Sequence, residues 1–355
     1  MQDLLLQYGL FLAKTLTWVG GLIVLVIVIA GLVRAGREHV GERLDVKNIN
    51  ERLQRMADIL NLDLLDEKEY KREEKRQRAE EKAKRKASKD DEPTKPRLFV
   101  LDFDGDIEAT QVAALREEIS AVLQVARPED AVMVRLESGG GIVHSYGLAA
   151  SQLKRVRDHG HKLYVSVDKV AASGGYMMAC VADQILAAPF AVLGSIGVVA
   201  QMPNFHRLLN KHEIDVEMHT AGEYKRTLTM FGENTDAARA KFRQELNEIH
   251  DLFKSFVAEN RAALAIDRVA TGEHWYGTQA LELGLIDTIQ TSDDFLLARV
   301  KDHDVYEIRY RVRRALREQL LSTLTRIVGF TSARLRDPAG VLHAYSAVEP
   351  FKTRY

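Results

Sequence analysis

One short stretch places a reactive side chain in an unusual setting. In "VDKVAASGGYMMAC", residues 167–180, an apolar extended segment runs into a serine and two glycines. The pattern predicts a strand that ends at Ser173 and a buried helix that begins behind it. A serine at a helix start is usually an N-cap, but a cap does not require two glycines after it. Ser173 is therefore also a candidate nucleophile, with the exposed N–H of Gly174 beside it as an oxyanion donor.

A second stretch, "RLESGGGIVHSYG" at residues 135–147, carries three consecutive glycines between a predicted strand and a predicted helix. Glycines in such a turn allow backbone N–H groups to point at an anion. The stretch lacks the spaced glycines and the lysine of a phosphate loop, and it lacks the dinucleotide-binding fingerprint. Two interpretations stay open, a flexible turn and an oxyanion hole.

A serine nucleophile needs a general base, and two residues are candidates. His144 lies in the glycine-rich stretch, but a histidine-based triad would also need a placed carboxylate. Lys225, in "TAGEYKRTLTMFGE", lies in a segment with few other titrating groups. A lysine can serve as a base where burial disfavours its charged form. The alternative interpretation of Lys225 is a solvated surface charge.

A third stretch, "FVLDFDGDI" at residues 99–107, suggests a different chemistry. It resembles the opening motif of haloacid-dehalogenase-type phosphatases, with Asp102 as nucleophile, Asp104 as acid and base, and Mg²⁺ between them. Asp106 stands where those enzymes carry Thr or Val, and no convincing downstream lysine and acidic pair follows. A strand that leads into an Asp/Gly turn is the favoured interpretation.

Composition excludes several function classes. The 355 residues carry 50 Lys and Arg against 51 Asp and Glu, so no global charge favours nucleic acid. The single cysteine, Cys180, excludes an internal disulfide and a multi-cysteine metal centre. Because its neighbours are Met, Ala and Val, we expect it to be a small buried apolar residue. We expect no metal and no cofactor.

The N-terminal region predicts a membrane anchor. Residues 15–33 carry no charge and are long enough to cross the roughly 30 Å hydrocarbon core as a helix. Trp18 suits an interfacial position, and no basic segment precedes the run as in a signal peptide. Arg34 and Arg37 follow directly, so the positive-inside tendency places the bulk of the chain in the cytoplasm.

The rest of the chain divides by composition. Residues 66–95 are almost wholly charged, which predicts an exposed helix or a solvated tether. From residue 97 onward strands alternate with helices, which predicts an α/β fold with a parallel sheet. The predicted strands are 97–103, 131–137, 162–168, 183–188, 196–202 and 305–312, and the predicted helices are 109–126, 142–158, 235–264 and 314–336. We assign 1–40 to the anchor, 41–96 to a charged linker, 97–300 to the main domain, and 301–355 to a C-terminal strand and basic amphipathic helix.

The stretches together resemble the signal peptide peptidase A family of membrane-bound serine proteases, in particular its SohB-type branch of inner-membrane peptidases. The resemblance covers about residues 97–290 and depends on motifs that occur in the family's order. These motifs are "RLESGGG", "DKVAASGGYMMAC", "LGSIGVV", "GEYK" and "TGEHWYGTQALELGLID".

The resemblance implies a ClpP/crotonase-like fold and a Ser/Lys dyad in the 97–300 domain. Ser173 matches the nucleophile, Lys225 the general base, and Ser195 the serine that orients the lysine. Gly140 and Gly174 match the backbone oxyanion donors. The family usually carries Pro where this chain has Gly139, so we expect a looser loop.

The family also implies partners and a location. Its members form rings in which neighbouring copies complete the sites, so we expect a homo-oligomer with poorly active monomers and no nucleic acid partner. Expected substrates are hydrophobic peptides, such as signal peptide remnants or misfolded membrane-protein fragments. Better-known relatives place this domain outside the cytoplasm, which opposes the charge distribution and favours the periplasmic side of a bacterial inner membrane. The alternative to a peptidase is a catalytically silent membrane scaffold of the same fold.

Overall fold

The computed structural model describes residues 9–23, 42–66, 95–222 and 224–312, together with five helical positions between 69 and 79. The chain divides into two compact units, residues 1–43 with 311–355, and residues 44–310. In the first unit, residues 9–23 form a helix, α1, whose residues are all exposed. None of the helices in the described ranges is long and apolar enough to cross a membrane. The predicted span runs on beyond residue 23, and residues 24–41 lie outside the described residues, as does the predicted helix 314–336.

The second unit is built on a mainly parallel sheet, as the alternation of strands and helices predicts. Its strand order is β1-β10-β2-β3-β4-β6-β9, while β5 pairs with β3 and β7, and β8 pairs with β7. The pairing of β7 with β8 is antiparallel. The strands are β1 (Glu42–Asn48), β2 (Arg97–Gly105), β3 (Ala131–Ser138), β4 (Lys162–Val167), β5 (Val170–Ala172), β6 (Gln184–Ala187), β7 (Val192–Gly194), β8 (His274–Tyr276), β9 (Thr288–Ile289) and β10 (Asp304–Val312).

Helices cover both faces of this sheet. Strand β2 alternates between two hydrophobic clusters, with Leu101 and Phe103 in the larger and Leu98 and Val100 in the smaller. Burial on both faces explains why the strands have almost continuous apolar sequences. The helices of this unit are α2 (Ile49–Leu64), α3 (Val112–Val125), α4 (Val143–Asp158), α5 (Gly174–Ala179), α6 (His206–Lys211), α7 (Asp236–Asn260), α8 (Ile266–Val269), α9 (Gly277–Glu282) and α10 (Ser292–Arg299).

Most predicted elements are confirmed, and one is wrong. Strands β2, β3, β4, β6 and β10 and helices α3, α4 and α7 lie where the sequence predicts them. The predicted strand 196–202 does not form, because the chain turns at Gly194 and Ser195, both with positive φ, so that the strand is Val192–Gly194. Inside the predicted linker, β1 joins the sheet and α2 packs Ile49 into the smaller cluster.

Candidate active site

Ser173 lies at the junction between β5 and α5 in a strained backbone conformation. Its φ is 52° and its ψ is −118°, a region that residues other than glycine rarely occupy. Ser173 occupies the N-cap position of α5, as predicted, but its side chain makes no capping hydrogen bond to the helix. Its backbone N–H donates to the carbonyl of Gly194 at 2.8 Å. Strain of this kind is common at functional sites, so Ser173 remains a candidate nucleophile.

The two glycines after Ser173 are required by close packing. A Cβ at Gly174 would lie 2.4 Å from Cγ of Tyr146, and a Cβ at Gly175 would lie 2.5 Å from the carbonyl oxygen of Ser138. Neither atom belongs to the mobile end of a side chain, so a side chain at Gly174 would force α5 away from α4, and one at Gly175 would force it away from the end of β3. The glycines therefore seat the helix start, and with it Ser173, directly against α4 and the end of β3.

The glycine loop lies directly against the serine. Gly140 has a φ of +86°, and a Cβ there would lie 2.7 Å from both the amide nitrogen of Gly174 and Cβ of Ser173. Gly139 has open space around it, since a Cβ would meet nothing within 4 Å. The structure thus brings Gly140 and Gly174, the two predicted oxyanion donors, together beside Ser173. In this conformation the N–H of Gly140 donates to Oγ of Ser138 at 3.1 Å.

Ser195 directly follows β7, just as Ser173 directly follows the neighbouring strand β5. Ala172 pairs with Gly194 in the parallel ladder between β5 and β7, so each serine is the next residue after a paired position. Ser195 also has a positive φ, 51°, and its N–H donates to the carbonyl of Glu273 at 2.6 Å. Behind it, the six-membered ring of Trp275 lies 2.7 Å from where a Cβ of Gly194 would be. The structure therefore places the two serines on adjacent strand ends.

Lys225 lies in a different environment. We name residues 197–234 the lysine arm, and none of its described residues is buried. Lys225 itself is exposed, and its backbone N–H donates to Gly222 at 3.2 Å. Among the residues the structure describes, its Nζ has no hydrogen bond and no ion pair, so no bond joins it to Ser173 or Ser195. The structure does not bring the predicted base to the predicted nucleophile within one chain.

The lysine arm is organised by its own contacts and exposes apolar side chains. The side chain of Asn204 donates to the carbonyls of Thr229 and Gly232, at 2.8 and 3.1 Å. The rings of Phe205 and Phe231 stack with centroids 6.1 Å apart. Large apolar side chains are exposed along the arm, namely Val199, Met202, Phe205, Leu208, Ile214, Val216, Met218, Tyr224, Met230 and Phe231. Exposed apolar surface of this extent is typical of an interaction surface.

The other candidate residues have structural roles or no contact with the serines. His144 is exposed on the first turn of α4, and no hydrogen bond joins it to Ser173 or Ser195. Cys180 is fully buried, as predicted, and burial raises the pKa of its thiol to about 12, which makes it inert.

Asp102 is not placed for phosphoryl transfer. Its carboxylate accepts two hydrogen bonds from Arg135, at 2.5 and 3.0 Å, and another from Arg309. Both arginines also pair with the buried Glu307, at 3.2 and 2.9 Å. These side chains form an ion cluster across β10, β2 and β3. The fixed carboxylate does not favour the phosphatase interpretation.

Some residues that shape the site gave no recognisable signal in the sequence. Tyr146 and Ser138 contact the glycine loop and α5, while Trp275 and Glu273 hold the turn at Ser195. Tyr146 is the fourth residue of α4, and its position in the sequence indicates only an ordinary core residue of that helix. Only the tertiary contacts show that it lies under Gly174.

Comparison with known proteins identifies the chain as a peptidase. Residues 3–153 match the family model described as "Peptidase family S49 N-terminal", and residues 155–305 match "Peptidase family S49". The chain is 52% identical over 328 residues to "Probable protease SohB" of Haemophilus influenzae, covering 89% of this chain and 92% of that protein. It is 58% identical over 231 residues to "Probable protease SohB" of Buchnera aphidicola subsp. Acyrthosiphon pisum, covering 65% of this chain and 69% of that protein.

The chain therefore belongs to peptidase family S49 and is a SohB-type protease of that family. Among solved structures, ClpP1 from Listeria monocytogenes is similar at a TM-score of 0.37 and 12% identity, covering 56% of this chain and 94% of that one.

Proposed function

We propose that the protein is a membrane-anchored serine endopeptidase of ClpP/crotonase-like fold that works through a Ser/Lys dyad. The observation that carries the proposal is Ser173, held at positive φ between β5 and α5 with Gly140 and Gly174 against it. In this proposal Ser173 is the nucleophile, Lys225 the general base, and Ser195 the serine that orients the lysine.

The chemistry follows from these roles. Neutral Lys225 removes the proton from Ser173, whose Oγ attacks the carbonyl carbon of a peptide bond. The N–H groups of Gly140 and Gly174 stabilise the resulting oxyanion. The tetrahedral intermediate collapses, the protonated lysine gives its proton to the leaving amine, and an acyl-serine ester remains. Water, deprotonated by Lys225, then attacks the ester and releases the acid product, and the proton returns to Ser173.

The exposed position of Lys225 favours a site completed in a homo-oligomer. A lysine on an arm with an apolar surface can reach the serine of a neighbouring copy when that surface packs against the copy. Within a single chain, Lys225 has no contact with Ser173 that would let it act as a base. We therefore propose that the monomer is poorly active and that assembly supplies the base.

Hydrophobic peptides are the proposed substrates, and the inner membrane of a bacterium is the proposed location. Apolar side chains border the glycine loop, where Ile107, Ile142 and Val143 are exposed beside Gly141. Such a border suits signal peptide remnants or fragments of misfolded membrane proteins. In this proposal the N-terminal region anchors the chain in the bilayer with the catalytic domain on the periplasmic side.

The test is peptide hydrolysis by full-length variants in detergent. Ser173→Ala and Lys225→Ala are each expected to lower kcat by at least about a thousandfold. Lys211→Ala, which removes an exposed lysine from α6 of the same arm, is the matched control and should retain activity. Full residual activity of either dyad variant would refute the dyad. Labelling of the wild-type protein at Ser173 by a fluorophosphonate would exclude the silent-scaffold alternative.

A further inference from the structure

A chain of hydrogen bonds fixes the glycine loop in place. The N–H of Gly140 donates to Oγ of Ser138 at 3.1 Å, and this oxygen lies 2.6 Å from the hydroxyl oxygen of Tyr146. The Tyr146 hydroxyl donates to the carbonyl of Asp106 at 2.7 Å. Because Tyr146 has one proton and gives it to Asp106, the Ser138 hydroxyl must be the donor toward Tyr146. Oγ of Ser138 then accepts the hydrogen bond from the Gly140 N–H. The donor and the acceptor are therefore determined for every bond in this chain, which we call the relay.

The relay is buried and has little room to rearrange. Ser138 is 2% exposed and Tyr146 is fully buried. Burial raises the pKa of the Tyr146 phenol, so the hydroxyl stays protonated and remains a donor. A Cβ at Gly105 would lie 2.5 Å from both hydroxyl oxygens, so only a glycine fits beside them. Buried and fully paired hydroxyls of this kind hold a single geometry.

The loop that the relay holds is not arranged to bind an oxyanion. An oxyanion hole needs N–H donors aimed at the position that the developing charge will occupy. Here the N–H of Gly140 is turned to Ser138, and Gly140 itself lies against the amide nitrogen of Gly174. One of the two predicted donors is therefore engaged by a side chain.

We propose that Ser138 and Tyr146 are positioning residues that form a latch, which keeps the oxyanion hole closed until a substrate carbonyl replaces Ser138 as the acceptor for the Gly140 N–H. This inference rests on the proposed function. Replacing Ser138 by the substrate carbonyl requires little free energy, because Ser138 still donates to Tyr146 afterwards and loses only one accepted hydrogen bond. The hole is thus assembled by the substrate and is incomplete in the free enzyme.

The glycines confine the movement to one peptide. Gly139 has open space around it and Gly140 has no Cβ, so both can change φ and ψ freely. The chain after Gly141 is held differently, because the N–H of Ile142 donates to the carbonyl of Ile107 at 2.8 Å. The Gly139–Gly140 peptide can therefore turn while the start of α4 stays in place.

The experiment measures how fast a fluorophosphonate labels Ser173 in the full-length protein. Ser138→Ala removes the acceptor, and we expect labelling about fivefold faster, the factor that one neutral hydrogen bond allows. Tyr146→Phe keeps the ring under Gly174 and, at Ser138, removes only the acceptor of the hydroxyl proton, so we expect a smaller increase. With a fluorogenic peptide the gain should appear in kcat with KM unchanged, since the N–H binds charge that develops in the transition state. The matched control is Tyr176→Phe, which removes a buried hydroxyl that donates to Leu285; it should leave the rate unchanged.

Slower or unchanged labelling in both relay variants, with thermal unfolding like that of the wild type, would overturn the latch. If Ser138→Ala does not fold, Tyr146→Phe decides alone. Hydrogen exchange of the 137–142 segment gives a readout independent of catalysis, and it should be faster in both variants than in the Tyr176→Phe control. If wild-type Ser173 is not labelled at all, the proposed function fails. The hydrogen-exchange rates of the 137–142 segment alone then test whether the relay holds the loop. Unchanged exchange in both variants would overturn the latch.

Discussion

The serine side of the site and the lysine arm are built in opposite ways. Ser173 is held by a backbone hydrogen bond to Gly194, by glycines with no space for a Cβ, and by the fully buried Tyr146. The lysine arm has no buried residue among those described and is organised by its own side chains. One half of the proposed dyad is fixed by the core of the domain, and the other is displayed on its surface.

This difference indicates what each half needs in order to function. A nucleophile must be held within a few tenths of an ångström, and only close packing achieves that precision. A base on an exposed arm gains a fixed position when something packs against the arm. The apolar side chains of the arm are suited to that packing, so the comparison predicts that the two halves meet between copies.

The largest expected effect comes from mixing two inactive variants. Ser173→Ala supplies intact arms and Lys225→Ala supplies intact serines, so a mixed oligomer contains some complete sites if the dyad forms between copies. Random assembly of equal amounts should restore about a quarter of wild-type activity, because half of the serines are intact and half of the neighbouring arms are intact. The measurement is peptide hydrolysis after co-expression and joint purification. No recovery despite confirmed mixed oligomers would place the dyad within one chain.

The next effect contrasts a glycine in each region. Gly174→Ala should destabilise the protein by about 3 kcal/mol or more, because its Cβ would lie 2.4 Å from Cγ of Tyr146. Gly222→Ala in the arm meets only Cβ of Lys225 at 4.0 Å, so the cost is limited to about 1 kcal/mol of strain at its φ of +96°. Thermal or denaturant unfolding of the two variants measures both. Equal losses would mean that the arm is as tightly packed as the serine side.

The sequence predicted the serine side better than the arm, for a physical reason. Strands β2, β3 and β4 are buried on both faces, so their apolar runs are long and could be recognised without the structure. The two glycines after Ser173 distinguished this stretch from an ordinary helix cap, and the close packing against Tyr146 and Ser138 explains why they are required. The strand predicted at 196–202 does not form, because the chain turns at Gly194 and Ser195. Residues 199–202 are exposed in the arm, and their apolar side chains resemble those of a strand in the sequence.

The hydrogen-bond relay could not have been predicted. Its members come from the end of β3, the first turns of α4 and the loop after β2, and nothing in their spacing indicates that three hydroxyl and carbonyl oxygens meet. Ser138 and Tyr146 both suit the elements that contain them, so local patterns give them no further meaning. Only packing brings them under Gly140.

The next prediction concerns pH, because the buried Glu118 should affect the stability of the domain and not the rate of peptide hydrolysis. Glu118 on α3 is buried and accepts the N–H of Tyr310 at 2.8 Å. Burial raises the pKa of this carboxyl to about 7, and nearby Asp102 adds to the rise while Arg309 opposes it. The folded state therefore holds this proton more tightly than the unfolded state, and stability falls as pH rises from about 4.5 through 7.

Glu118→Gln should remove this dependence, because the amide oxygen can accept the same hydrogen bond without a charge. Between pH 5 and pH 8 the wild type should lose about 2–3 kcal/mol of unfolding free energy relative to the variant. The measurement is unfolding across that range, with the pH profile of peptide hydrolysis as the control. A variant that becomes relatively less stable at pH 8 would contradict the assignment, and a shifted activity profile would show that Glu118 affects the site.

The smallest expected effect concerns Gly139 in the glycine loop. A Cβ at Gly139 meets nothing within 4 Å and its φ is not positive, so Gly139→Pro should fit. Ser138 before it is in a strand, the conformation that a following proline favours. Proline should raise the unfolding free energy by about 0.5 kcal/mol by restricting the unfolded chain, and Gly139→Ala should give part of that gain. The Gly139–Gly140 peptide turns about ψ of residue 139 and φ of residue 140, whereas proline fixes only φ of residue 139, so activity should be retained. Loss of activity in Gly139→Pro but not in Gly139→Ala would show that the movement extends to the φ of residue 139.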